Sequence, residues 1–172
     1  GHMVYVIMGV AGCGKTTVGL KLSDLLGIPY YDGDDYHPLL NKEKMKNNIP
    51  LTDEDREPWL MFLAGKIKEW DSDGGAVISC SALRERYRRI LSQYVPVQFI
   101  YLKGDKELIL SRLKKRKNHF FPPDLLESQF SVLEEPDNAI TVSITMAVSE
   151  ICREIFTLIR NSPVSFPWYG PR

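Results

Sequence analysis

Residues 9–16 have the types and spacing of a loop that binds nucleotide phosphates. They read Gly-Val-Ala-Gly-Cys-Gly-Lys-Thr and fit the pattern G-x-x-x-x-G-K-[ST]. Glycines allow backbone N–H groups to turn toward an anion, and the positive end of a following helix dipole stabilises the same charge. We therefore expect Lys15 to reach the β- and γ-phosphates and Thr16 to hold Mg²⁺.

A second candidate group is Asp32-Gly33-Asp34, at the end of a short β-rich run. In an extended strand the two carboxylates would lie on the same side, at the sheet edge where open α/β folds bind ligands. Phosphoryl transfer needs a carboxylate that orients a metal and a group that accepts the hydroxyl proton. We predict water-mediated Mg²⁺ contact for Asp32 and a general-base or substrate-positioning role for Asp34. In isolation, an Asx-type turn with solvated carboxylates would be the favoured explanation of the pair, but the neighbouring phosphate loop reverses that preference.

Arginines form a third constellation. Arg112 and Arg116 are four residues apart, so on a helix they share a face that runs into the basic, aromatic segment at about 114–124. We predict that this segment is a mobile lid and that the two arginines offset charge on the phosphates, although such a pair can also simply face solvent. Arg84 and Arg88 have the same spacing and could meet an anionic substrate.

The surrounding pattern predicts the elements that position these groups. Short β-rich runs alternate with longer helical periods, which specifies an α/β fold: a five-stranded parallel sheet with helices on both faces. Predicted strands are 4–8, 30–32, 76–80, 97–102 and 140–143, and predicted helices are 15–26, 39–46, 53–70, 84–93, 105–116, 124–133 and 147–160. We expect one domain over 4–161, with 1–3 as an expression-tag remnant and 162–172 as a proline-rich aromatic tail packed on this subunit or a neighbour.

Composition excludes several function classes. Lysine plus arginine and aspartate plus glutamate both total 22 in 172 residues, so no global field favours nucleic acid or an anionic membrane. No apolar run approaches the roughly 20 residues of a membrane span. The three cysteines lie far apart, which favours free thiols in a reducing cytoplasm.

The chain resembles the gluconate kinase (gluconokinase) family of small P-loop kinases, relatives of the shikimate and nucleoside monophosphate kinases. Five segments carry the resemblance: 8–15, 32–38, 49–60, 80–88, and 117–121 through 128–130. Position 13 is cysteine, where serine or another small residue is more usual. The family transfers the γ-phosphoryl group of ATP to the 6-hydroxyl of D-gluconate with Mg²⁺, and its members commonly form homodimers.

The resemblance also implies roles for individual residues. The nucleotide would contact the loop residues and the lid arginines, namely Gly9, Gly12, Cys13, Gly14, Lys15, Thr16, Thr17, Arg112 and Arg116. Asp34 would bind the sugar acid and receive its proton. The acceptor pocket would also include Arg56, Arg84, Arg88, His119 and Gln129. For His37, before Pro38, a structural role at the next helix is the simpler interpretation.

Two alternatives stay open at this point. One is a related kinase for shikimate or a nucleoside monophosphate. Shikimate kinases usually have a glycine triplet after the third strand, whereas this chain has Ser79-Cys80-Ser81-Ala82. The other is a non-catalytic nucleotide-binding switch, which would need the phosphate loop but no acceptor pocket.

Overall fold

The computed structural model describes residues 3–115 and 122–161. Its strands are β1 (Val4–Met8), β2 (Tyr30–Asp32), β3 (Ala76–Ser79), β4 (Val97–Lys103) and β5 (Ile140–Ser143). Its α-helices are α1 (Lys15–Leu26), α2 (Leu39–Lys46), α3 (Asp53–Ser72), α4 (Glu85–Leu91), α5 (Lys106–Lys114), α6 (Pro123–Val132) and α7 (Val148–Asn161). A short 3₁₀ helix, Gly33–Tyr36, follows β2.

The five strands form one parallel sheet in the order β2-β3-β1-β4-β5. Strand β1 is central, and its Val4 pairs with Ala76 of β3 on one side and Val97 of β4 on the other. Strand order reverses at β1, so the loop after it lies at the point where ligands bind in open α/β sheets. The prediction of a five-stranded parallel sheet is confirmed.

Each face of the sheet is covered by helices, as predicted. Alternate residues of β1 point to opposite faces: Val4, Val6 and Met8 pack with α3 and α4, while Ile7 packs with α1, α5, α6 and α7. These buried strands are apolar on both faces, which a parallel sheet between two helical layers requires. The two cores fix the carboxyl ends of the strands, where the polar residues of the candidate site begin.

Two predicted segments fall outside this description. Residues 116–121 of the lid predicted at about 114–124, and all of the tail at 162–172, lie outside the described residues. Within the two described ranges, no helix is long and apolar enough to cross a membrane.

Candidate phosphoryl-transfer site

The loop between β1 and α1 has the backbone of a phosphate cradle. Gly14 is the N-cap of α1 with φ 99°, in the left-handed region that glycine tolerates. Because Gly14 has no side chain, it cannot cap α1 with a side-chain oxygen. The first backbone N–H groups of α1 are therefore available to donate hydrogen bonds to a bound anion. Gly9 is also held tightly, since a Cβ there would lie 2.7 Å from Cys13 Sγ and 3.1 Å from the Leu102 carbonyl oxygen.

Lys15 lies across this loop. Its Nζ donates to the backbone carbonyls of Gly9 and Val10, at 3.0 and 3.1 Å. Its own carbonyl accepts a hydrogen bond from Ser79 Oγ at 3.1 Å, which ties the start of α1 to the end of β3. The ammonium group is therefore held beside the cradle, where a phosphate would replace backbone carbonyls as its partner.

The segment from Asp32 to Asp34 differs from the predicted extended strand. Strand β2 ends at Asp32, as predicted, and Gly33 begins the 3₁₀ helix, so Asp34 lies outside the strand and its side chain is not placed beside Asp32 by extended geometry. Asp32 caps this helix by accepting the Asp34 backbone N–H at 3.0 Å. Both side chains nevertheless line the same cleft, so the structure brings them together by a turn rather than by strand geometry.

The carboxyl of Asp34 has a raised pKa. Although 68% of its side chain is accessible, the accessible part opens into the cleft rather than onto a convex surface. Burial within the cleft walls raises the pKa by disfavouring the charged form, Asp32 adds to the rise, and Lys15 opposes it. A carboxylate with a raised pKa is a stronger base than ordinary aspartate, which suits a proton acceptor.

The cleft has a volume of about 580 Å³. Four parts of the chain form most of its walls: the phosphate loop with the ends of β2 and β3, the segment from Met45 to Leu51, the start of α3, and α6. Gly12, Gly14, Lys15, Thr16, Thr17, Asp32, Asp34, Arg56 and Gln129 are the predicted site residues that line it. The space is in the range of small-molecule sites.

Gln129 joins two walls of this cleft. Its Oε1 accepts the Ala11 backbone N–H at 2.7 Å, so α6 is tied directly to the phosphate loop. The predicted role of Gln129 lies with the acceptor, and its position in the cleft wall is compatible with that role. In this structure its hydrogen-bond partner, the Ala11 backbone N–H, belongs to the phosphate loop on the nucleotide side of the cleft.

Two arginines gather around Tyr87 beside the cleft. Arg56 donates to the Leu51 carbonyl at 2.7 Å and to Tyr87 Oη at 3.2 Å, and its guanidinium lies 5.4 Å from the ring centroid. Tyr87 in turn donates to Asp53, and this hydrogen bond lowers the pKa of the Asp53 carboxyl. The positive charge of the half-buried Arg84 also favours the ionised forms of Asp53 and Tyr87, which contributes a lowering to the pKa of each. Within the described part of the chain, its buried Nε has no hydrogen-bond partner.

Arg88 is not brought to the cleft. Helix α4 begins at Glu85, and Arg84 precedes it with extended backbone, so the predicted common helix face does not form. Arg88 is 5% exposed and donates to the carbonyls of Ala82 and Glu134, at 2.6 and 2.9 Å. It lines a separate cavity of about 250 Å³, where it ties the end of α6 to the loop before α4.

Arg112 and the lid residues are placed differently from the other candidates. Arg112 donates to the Ile144 carbonyl, after β5, and does not line the cleft. Its helix supports the phosphate loop, because a Cβ on Gly12 would lie 2.9 Å from the Leu113 side chain. Cys13 is buried at 2% exposure within the loop. Arg116 and His119 lie outside the described residues.

Several cleft residues are not identified by sequence motifs. Ser79 bridges Tyr30 and the start of α1, and the Ser81 carbonyl accepts the Gly9 N–H at 3.2 Å. Trp59 forms part of the floor, where its Nε1–H donates to the Gly33 carbonyl at 2.8 Å. The sequence did offer one indication for the two serines. Ser79-Cys80-Ser81 lies at the carboxyl end of a predicted parallel strand, where ligands bind in open α/β folds.

The donor set suits magnesium held jointly with phosphates. Among residues 3–115 and 122–161, no group of three or more histidine, cysteine, aspartate or glutamate side chains could hold a metal ion. Thr16 and Asp32 both face the cleft and offer oxygen donors. Mg²⁺ typically binds one or two protein oxygens together with substrate phosphates and water, so these two residues fit it.

Comparisons with known proteins agree with this geometry. The family model described as shikimate kinase matches residues 11–139. A probable gluconokinase of Dictyostelium discoideum is 41% identical over 92% of this chain and 86% of its own, and the thermosensitive gluconokinase of Escherichia coli is 41% identical over 93% and 90%. The crystal structure of a gluconokinase from Sinorhizobium meliloti superposes with a TM-score of 0.85 at 36% identity, covering 92% of each chain.

The family resemblance identified from the five segments is thereby confirmed. Shikimate kinases share the fold at lower similarity: the enzyme of Aquifex aeolicus is 19% identical with a TM-score of 0.61, covering 92% of this chain and 96% of that one. The chain belongs to the gluconokinase family of P-loop kinases, within the broader group that the shikimate kinase model describes.

Proposed function

We propose that the protein transfers the γ-phosphoryl group of ATP to the 6-hydroxyl of D-gluconate. The observation that carries this proposal is a single cleft lined by Lys15, beside the phosphate loop, and by Asp34, in the 3₁₀ helix after β2, with the charge of Lys15 acting on the Asp34 carboxyl. Phosphoryl transfer requires such a pairing of phosphate-binding cation and proton acceptor. The three relatives described above that are 36–41% identical to this chain are all named gluconokinases, which supports gluconate as the acceptor.

The nucleotide side of the proposal assigns ATP to the cradle of residues 9–17. Backbone amides at the start of α1 would hold the β- and γ-phosphates together with Lys15, and Thr16 and Asp32 would hold Mg²⁺. Bound Mg²⁺ offsets the phosphate charge, and ATP supplies the phosphoryl group. Arg112 and Arg116 are proposed to add positive charge when the nucleotide is bound.

The acceptor side assigns gluconate to the space between Asp34 and Arg56. Gluconate carries one carboxylate and a row of hydroxyls, so its site needs a cation at one end and neutral hydrogen-bonding groups between. Arg56 is held in place by Leu51 and Tyr87, and the unpartnered Nε of Arg84 lies near the same tyrosine. We propose that these arginines bind the carboxylate while Asp34 accepts the proton of the 6-hydroxyl. His119 and Gln129 are proposed to complete the pocket.

The match to the shikimate kinase family model makes shikimate the alternative acceptor to consider. In this chain the residues at the end of β3 make other contacts: Ser79, the last residue of β3, holds the start of α1 through its Oγ, and the Ser81 carbonyl accepts the Gly9 N–H. Their side chains also occupy space that a glycine triplet would leave open. Both observations favour gluconate over shikimate.

The test is a comparison of acceptors with the same enzyme preparation. ADP release is measured with ATP, Mg²⁺ and one of D-gluconate, other sugar acids, shikimate or AMP. We expect acceptor-dependent turnover with gluconate and at least about tenfold lower kcat/KM with the others. Faster turnover of shikimate or AMP would replace the proposed acceptor, and ATP binding without turnover would identify a switch. Association into a homodimer and a cytoplasmic location stay predictions from the sequence.

A further inference from the structure

His37 lies in the floor of the cleft beside Asp34. Its side chain is 2% exposed, and its ring stacks on Trp59 with centroids 3.8 Å apart and planes 19° apart. The stack fixes the plane of the imidazole, so its two nitrogens point in defined directions. Nδ1 faces Asn41, and Nε2 faces the Asp34 carboxylate.

The hydrogen bonds of Asn41 define which nitrogen of His37 carries the proton. Asn41 Nδ2 lies 2.8 Å from the Asp55 carbonyl oxygen and 3.2 Å from His37 Nδ1. A carbonyl oxygen can only accept, so the Asn41 atom facing both partners is the NH₂ group, which can only donate. Nδ1 of His37 must therefore be an unprotonated acceptor, and the proton of the neutral ring is on Nε2.

The electrostatic surroundings keep this ring neutral. Burial lowers the pKa of His37 to about 4, and the positive charges of Arg56 and Lys42 contribute to the lowering. At neutral pH the cleft therefore contains a fixed N–H donor and not an imidazolium. Such a donor can bind a hydroxyl oxygen without adding a further positive charge to the cleft.

The distance between Nε2 and Asp34 leaves both groups available to a third. His37 Nε2 is 3.9 Å from Asp34 Oδ1, which is too long for a direct hydrogen bond. An oxygen placed against both atoms would be within hydrogen-bond distance of each. A hydroxyl group suits this position, because it can accept from Nε2–H and donate its own hydrogen to the carboxylate.

We propose that His37 contacts the acceptor substrate directly, donating its Nε2–H to the hydroxyl that is phosphorylated. This inference rests on the proposed function and adds a second protein contact to the reacting oxygen. The O–H bond is directed at Asp34, one oxygen lone pair is held by His37, and the remaining lone pair attacks phosphorus. As the new O–P bond forms and the bond to ADP breaks, the hydroxyl proton passes to Asp34 and His37 keeps its own.

A matched pair of variants separates hydrogen bonding from packing. His37→Phe keeps an aromatic ring to stack on Trp59 but removes the donor, whereas His37→Gln can present an amide N–H near the Nε2 position. We expect His37→Phe to lower kcat/KM for gluconate by about 10- to 100-fold and to leave the KM for ATP within about twofold. His37→Gln should recover a substantial part of that loss.

Kinetic outcomes distinguish this inference from the proposed function. If the wild type does not phosphorylate gluconate, the proposed function fails. If it does, and His37→Phe turns over gluconate normally, the direct contact is refuted. Equal losses in His37→Phe and His37→Gln would assign His37 a packing role only and would also refute it.

A measurement on the wild type does not depend on how the variants fold. In ¹⁵N-histidine-labelled protein, long-range proton–nitrogen NMR spectra report which ring nitrogen is protonated. We expect the Nε2–H tautomer at pH 7, and a shift of the Nε2 signal when gluconate is added with a non-hydrolysable ATP analogue. The Nδ1–H tautomer, or an Nε2 signal that gluconate does not move, would overturn the proposal.

Discussion

Gly33 sets the position of Asp34, and its replacement by alanine tests whether that position matters. A Cβ on Gly33 would lie 2.6 Å from the Ser79 carbonyl oxygen and 3.4 Å from Cys80 Cβ. Gly33 is buried, and its own carbonyl accepts the Trp59 Nε1–H at 2.8 Å. The added methyl group would therefore clash with the Ser79 carbonyl at the end of β3, and the hydrogen bond from Trp59 holds the Gly33 carbonyl in place.

The size of the effect follows from these contacts. Ordinary contacts of a Cβ begin near 3.4 Å, so the end of β2 and β3 must separate by most of an ångström. Overpacking of this kind typically costs about 1–3 kcal/mol of unfolding free energy. Misplacement of a reacting group by about 1 Å can cost on the order of 10² in rate. We expect Gly33→Ala to lower kcat/KM for gluconate by about 10²-fold.

The assay compares Gly33→Ala with a second glycine variant that has free space. No heavy atom lies within 4 Å of the position where a Cβ would be on Gly65, in α3. Gly65→Ala should therefore raise the unfolding free energy by about 0.5–1 kcal/mol and leave kinetics unchanged. Urea unfolding and steady-state kinetics are measured for both. Wild-type kinetics in Gly33→Ala, with stability reduced or not, would refute the reasoning that this contact positions Asp34.

Three further variants and one pH dependence test other parts of the site and the fold. Lys15→Ala should lower kcat by on the order of 10² or more because charge stabilisation is lost, and steady-state kinetics with saturating ATP will measure it; wild-type turnover would contradict the nucleotide assignment. Asp34→Asn should lower kcat while ATP affinity, measured by titration calorimetry, is nearly unchanged; a loss confined to ATP binding would make Asp34 a nucleotide or metal residue. Thr52→Ala removes the Oγ1 that accepts the Asp55 N–H at 3.1 Å in a capping box, so urea unfolding should show a loss of about 1 kcal/mol, and no loss would contradict the cap. The pKa of His37 is about 4 in the folded state and near 6.5 when unfolded, so stability should fall as pH drops from 6.5 toward 4, by at most about 1.4 kcal/mol per pH unit. Urea unfolding of wild type and His37→Phe between pH 4 and 7 should show that component in the wild type alone.

The sequence predicted the nucleotide side of the site well because its determinants are local. A strand, a glycine-rich loop and a helix that follow one another in the chain already place Lys15 and Thr16 beside the loop that is proposed to bind the phosphates. The parallel sheet was predictable for a similar reason, since apolar runs alternating with helical periods allow few other arrangements. Neither inference needed the position of a residue distant in sequence.

The acceptor side was predicted less completely because distant contacts decide it. The end of β2 at Asp32 was predicted, but Asp32 and Asp34 were expected to share one side of an extended chain. The chain instead turns at Gly33, where Ser79 and Cys80 leave no room for a side chain and Trp59 fixes the Gly33 carbonyl. Arg84 and Arg88 were expected on one helix face, but α4 begins one residue after Arg84. A one-residue difference in a helix boundary is enough to separate two such side chains.

His37 illustrates the same limit in another way. The sequence favoured a structural role at the next helix, and its ring does accept a hydrogen bond from Asn41 in that helix. Its orientation toward Asp34 depends on Trp59 and on the Asp55 carbonyl, both from α3. Those contacts join segments that no local pattern connects.

The central claim is that this chain phosphorylates the primary hydroxyl of gluconate. It is tested most directly by incubating the protein with ATP, Mg²⁺ and D-gluconate, following ADP release, and locating the phosphate on the product by phosphorus–proton correlation NMR. We predict one ADP released for each gluconate consumed, with the phosphate on oxygen 6. Release of ADP that does not depend on gluconate, or a phosphate on any other oxygen, would contradict the claim.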